Sequence, residues 1–87
     1  MIETDKILCS VFRSPKKEGM YLYVRKNEGV DELPEPLLKQ FGTPGHVMDL
    51  LLTRDRKLAR VEVVDVMAAI HEQGFYLQMP PRAGIDI

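Results

Sequence analysis

Apolar and polar positions divide the chain into six segments. In KILCSVFR (Lys6–Arg13) apolar side chains fall on both faces, with Ile7, Cys9 and Val11 on one and Leu8 and Phe12 on the other. A strand of this kind is covered on both sides, so it is expected inside a sheet with helices above and below. SPKKEG reads as a turn punctuated by Pro15 and Gly19. MYLYVRK then alternates strictly, Tyr21, Tyr23 and Arg25 against Leu22 and Val24, and completes a hairpin. LPEPLLKQFG predicts a short helix, because proline is tolerated in a first turn whose amides lack helical acceptors. Leu37, Leu38 and Phe41 would form its buried side, and Gly42 stands where a closing glycine is wanted. HVMDLLLT is a third strand, apolar on both faces apart from Asp49, and RDRK is a polar turn or a single helical turn.

From Glu62 to Gln73 the spacing becomes helical: Val63, Val66, Met67 and Ile70 form one stripe. Glu62 and Asp65 suit the positive end of that helix. Gly74 closes it with an expected positive φ and leads into FYLQM, the fourth strand, where Phe75, Leu77 and Met79 alternate with Tyr76 and Gln78. Pro80 and Pro81 end the pairing. The order β-β-α-β-α-β predicts an α/β fold, a small three-layer α/β/α sandwich around a four-stranded sheet; a two-layer ferredoxin-like α+β arrangement is the alternative. In the three-layer reading Leu77 and Met79 face the Val63–Ile70 stripe, and Tyr76 and Gln78 face the other way.

Eighty-seven residues, 45% hydrophobic and 29% charged, describe one globular domain over 1–87, with 82–87 read as a loose tail. A lone cysteine cannot form an internal disulfide and fits a reducing compartment. The N-terminus lacks the basic start and long apolar run of a signal peptide, and no stretch approaches the ~20 apolar residues of a membrane span. A cytoplasmic protein without membrane contact is expected. The net charge of −1 argues against general nucleic-acid binding, yet it alternates in blocks: +3 over 1–26, −4 over 27–53, +3 over 54–60 and −3 over 61–87.

The run RKLARVEVVDVMAAIHEQGFYLQMPP, with YLYV and FGTP upstream, resembles the YcgL family of small bacterial proteins, most specifically in EQGFYLQMPP. The likeness extends from about Leu8 to Pro81. It implies an α/β/α-type sandwich. The family is known as a domain of unknown function, so the resemblance implies no catalytic residues.

Cys9 lies in the most apolar strand and reads as a small buried hydrophobe. His46 and His71 are 25 residues apart without metal-ligand spacing, Ser10 and Ser14 lack a GxSxG setting, and GTPG is too short to cradle a phosphate. No metal or cofactor is expected. Asp49 is the oddest acid, facing solvent, pairing with an arginine, or lining a groove. Tyr21 and Tyr23 share one strand face, as do Tyr76 and Gln78. If those faces coincide, they form an aromatic and amide surface near Arg13 and Arg25, with Arg54 or Arg56 as further candidates, suited to a peptide or to stacking on bases. Against this, tyrosine rings often sit under a helix with only the hydroxyl wet. The expected function is a non-enzymatic accessory domain binding a macromolecular partner, protein or RNA, through a groove of Arg13, Tyr21, Tyr23, Tyr76 and Gln78. The alternatives are a small hydrolase or transferase using Asp49, His46 and an arginine, and a nucleic-acid-associated accessory protein.

Overall fold

In the computed structural model, residues 6–31, 33–58 and 61–80 are described; the proposed tail, 82–87, lies outside them, as does Pro81. The elements are β1 (Lys6–Arg13), β2 (Tyr21–Arg25), α1 (Glu35–Phe41), β3 (Gly45–Thr53), α2 (Val63–Gln73) and β4 (Phe75–Gln78), in the order the hydrophobic pattern predicts. The sheet runs β3-β1-β2-β4 with every neighbouring pair antiparallel. β1 is interior in the sheet, but the cover its two-sided pattern calls for is incomplete: Leu8 is exposed.

Successive strand residues point to opposite faces, so the hairpin feeds two cores. On one face Ile7, Cys9, Val11 and Tyr23 pack with Leu52 and the α2 stripe Val63, Val66, Met67 and Ile70. On the other, Leu22 and Val24 pack with Met20 and Phe41 of α1, joined by Phe12, Leu37, Phe75 and Leu77. A helix thus lies on each side of the sheet, the arrangement of the three-layer reading; a two-layer fold needs both on one side.

α1 has seven residues, with Pro34 as its cap residue and a proline inside its first turn. Its far end is fastened to the β1–β2 turn by buried Ser14, whose hydroxyl donates to the Phe41 carbonyl at 2.6 Å and accepts from the amides of Lys16 and Lys17.

Two expectations need correction. Leu77 and Phe75 face the α1 core, and Tyr76 packs under α2, the reverse of the expected assignment. The register explains it: Tyr23 lies opposite Tyr76 and Tyr21 opposite Gln78, so all four share the α2 face. α2 brings four apolar side chains of its own and accepts tyrosine rings beneath them. Short α1 brings mainly Phe41 and Leu37, so the sheet supplies the aliphatic and phenyl groups on that side. Second, β3 is apolar on both faces without being covered on both. It is an edge strand, and Val47, Met48 and Leu51 are exposed.

Gly74 is left-handed (φ 91°), and its amide donates to the Ile70 carbonyl to close α2. A Cβ at this position meets no atom within 4 Å, so strain in Gly74→Ala comes from the backbone alone. The variant is expected to lose about 1–2 kcal/mol with the fold unchanged, read from its urea unfolding midpoint.

Candidate functional site

Tyr21, Tyr23, Tyr76 and Gln78 do share one face, but they do not act as one surface. Tyr23 is buried; its hydroxyl donates to Gln78 Oε1 at 2.9 Å, and its ring meets Tyr76 edge-on with centroids 5.9 Å apart. Gln78 is also buried, so the amide–aromatic pairing ties β4 to β2. Half-buried Tyr76 packs against the α2 core.

Beside these residues a cavity of about 340 Å³ opens across the α2 side of the sheet. Tyr21, Tyr23 and Gln78 line one part, Val47, Met48 and Leu50 of β3 another, and Arg56, Lys57 and Leu58 border it from the segment after β3. Arg13 is opposite Tyr21 in register, yet its side chain runs along Gly45 and lines a separate cleft with Ser14, Pro15, Glu18 and Thr43. The groove's cations are Arg56 and Lys57. Arg56 and Lys57 both belong to the basic block at 54–60 read from the sequence; Met48 comes beside Tyr23 through its pairing with Val11, and Leu58 only through the packing of the segment after β3.

On the opposite face Asp49 gathers donors from three segments. It accepts from Lys26 Nζ at 2.8 Å, His46 Nε2 at 2.8 Å and Ser10 Oγ at 2.7 Å. These hydrogen bonds, that of Lys26 foremost, hold its carboxyl well below the usual carboxylate range. His46 and Asp49 therefore do meet, as the enzyme alternative requires, but the strong cation beside them is Lys26 where an arginine was expected. The order is also unsuited to nucleophile activation. Ser10 donates directly to an aspartate held ionised, and such a carboxylate is a poor base.

A larger cleft of about 630 Å³ is lined by Lys6, Ile7, Leu8, Arg25, Lys26, Asn27 and His71. Its basic character is largely committed internally. Lys26 pairs with Asp49, and Arg25 reaches the Ile70 carbonyl, His71 Nδ1 at 3.2 Å and Glu28 at 3.8 Å. Arginine only donates, so the His71 tautomer protonated on Nε2 completes that contact. Arg25 thus caps the C-terminal end of α2. Cys9 is fully buried, and burial pushes its thiol up to about 11, which keeps it protonated and unreactive at neutral pH. Among the described residues no group of three His, Cys, Asp or Glu side chains is placed to hold a metal ion, and no helix is long and apolar enough to cross a membrane.

Comparison with known proteins places this geometry. The YcgL domain profile matches residues 9–81. The chain belongs to the YcgL family. A YcgL domain-containing protein of Hahella chejuensis is 61% identical over 77 residues, 88% of this chain and 73% of its own length. One from Saccharophagus degradans is 59% identical over 75 residues, 86% of this chain and 82% of its own. A Pseudomonas aeruginosa relative is 57% identical over 76 residues, 87% and 78% of the two chains. The match takes in both features of this YcgL domain described above, since the groove residues and the Asp49 cluster all fall within 9–81.

The Asp49 cluster makes stability depend on pH with a definite sign. A carboxylate whose folded pKa is depressed stabilises the fold above its unfolded value near ~4, and that contribution is lost as pH falls toward the folded value. Asp49→Asn is therefore expected to be less stable than wild type at neutral pH, and the two urea midpoints should converge on acidification. A constant difference across the titration would contradict this role.

Proposed function

We propose that this YcgL domain is a cytoplasmic, non-enzymatic binding module that takes an extended segment of a protein partner into the groove beside Tyr21. An apolar side chain of that segment sits among Val47, Met48, Leu50, Leu58 and the Tyr21 ring, while flanking acidic residues meet Arg56 and Lys57. The observation that carries this reading is the composition of the groove wall: exposed aliphatic side chains on an edge strand, rimmed by two cations. That is the pattern of a small interface, with an apolar centre and a polar rim. The buried lone cysteine supports a reducing compartment.

Two observations favour a peptide over a nucleic acid. Stacking needs an open ring face, whereas Tyr23 is buried against Tyr76 and has its hydroxyl bonded to Gln78. The chain's net charge is −1, so its pull on a phosphate backbone is local at most. The hydrolase or transferase alternative draws little support from Asp49, whose three donors keep it from acting as a base.

A phage-displayed library of unstructured peptides tests the reading. Enriched sequences are expected to carry an apolar or aromatic residue flanked by Asp or Glu. Met48→Glu, at a side chain already 47% exposed, should leave the fold intact and weaken those peptides at least about tenfold, ~1.4 kcal/mol. The double reversal Arg56→Glu, Lys57→Glu should remove the acidic preference. Failure to enrich any peptide, equal binding by Met48→Glu, or tighter binding of single-stranded oligonucleotides would each overturn it.

A further inference from the structure

β3 is a nine-residue edge strand, and the protections usual on such edges are sparse. It contains no proline or lysine, and its one acid, Asp49, is already paired with Lys26 and His46. One irregularity is present: between the pairs Val11–Met48 and Phe12–His46 the strand carries an extra residue, Val47. That bulge bends one end and leaves a regular ladder from Met48 to Thr53. Exposed Leu51 on this ladder lies opposite exposed Leu8, a two-leucine row running to the open edge and uncovered by either helix core.

We infer that this edge pairs antiparallel with β3 of a second copy, about a twofold axis at Leu51, to give a continuous eight-stranded sheet. The second copy is chosen because the edge is complementary to itself in this register. Leu51 meets Leu51 of the second copy, making a row of four leucines with the two Leu8 side chains. Leu50 meets Leu52 of the second copy, extending the Cys9–Leu50 and Ile7–Leu52 rows into one apolar line. Asp49 meets Thr53 of the second copy, and the row of Ser10 and Asp49 joins that of Thr53 and Lys6, opposite charges on one line. Other registers fail: an axis at Asp49 opposes two carboxylates, an axis at Leu50 sets each carboxylate against a leucine, and an axis at Leu52 sets Leu51 against Thr53 and Leu50 against Arg54, breaking both apolar rows. Antiparallel self-pairing is isologous, so it closes as a dimer and leaves no edge of β3 to propagate a filament. The paired edge and the peptide groove share Leu50; the groove otherwise reaches β3 through Val47 and Met48, and the leucine row at Leu51 lies outside it.

Sedimentation velocity on the full chain is expected to show a monomer–dimer equilibrium that shifts with concentration. Leu51→Lys, at a side chain already 42% exposed, should be monomeric with unchanged circular dichroism and melting temperature. Register is read by oxidation: Leu51→Cys should give a disulfide-linked dimer, because residues on the axis face each other across adjacent strands, and Val47→Cys should not. The inference is overturned by a wild-type chain that stays monomeric at millimolar concentration, by a Leu51→Lys variant that folds and dimerises as wild type does, or by cross-linking at position 47 and not at 51.

Discussion

One hairpin, buried on both faces, governs this structure. Cys9, Leu22 and Val24 are fully enclosed, Cys9 in the α2 core and Leu22 and Val24 in the α1 core, so the hairpin walls both. In a chain of 87 residues that requirement consumes both helices, one on each side. Everything away from the hairpin is covered only as far as those helices extend. An α-helix of eleven residues spans ~16 Å, whereas an eight-residue strand spans ~26 Å. α2 therefore cannot roof the length of β1, and the segment after β3 borders what remains open. The groove beside Tyr21 is the remainder of that mismatch, walled by strand side chains and rimmed by Arg56 and Lys57.

The same constraint explains the tyrosines. A ring placed under α2 adds apolar area to the core while its hydroxyl reaches the margin, where Gln78 accepts it. A phenylalanine at position 23 would fill the space but leave the buried Gln78 amide without that donor, a loss of about 1–3 kcal/mol for an unsatisfied polar group. The amide–aromatic pairing on β4 is thus first a structural joint, and the groove uses its outer side.

Periodicity reveals what is local. The α2 stripe, the Gly74 closure, the β1–β2 hairpin and the element order follow from spacing and turn residues in KILCSVFR, MYLYVRK and VEVVDVMAAIHEQG. What it leaves hidden depends on register and on loop paths. Alternation in FYLQM shows that Leu77 and Tyr76 oppose each other, but pairing with β2 decides which of them meets α2. HVMDLLLT has the composition of an interior strand, and its place at the edge comes from the order of strands in space. Arg13 is next to Tyr21 in the ladder, yet its side chain runs along Gly45; Lys57, remote in sequence, lines the groove that Tyr21 lines.

Asp49 shows how the less sheltered side is managed. α1 reaches Leu22, Val24 and Phe12 but leaves Leu8 and Leu51 exposed, so on this flank β3 is held to the hairpin without a helix above it. A polar network does part of that work: one carboxylate joins Ser10 of β1, Lys26 just beyond β2 and His46 of β3 itself. Ser10 is buried, so its hydroxyl needs the acceptor that Asp49 provides. Replacing Asp49 with leucine would match the apolar pattern of HVMDLLLT, remove that acceptor and extend an already exposed apolar edge. The single acid in the strand thus serves two demands at once, satisfying the sheet's polar interior and limiting how its edge can pair.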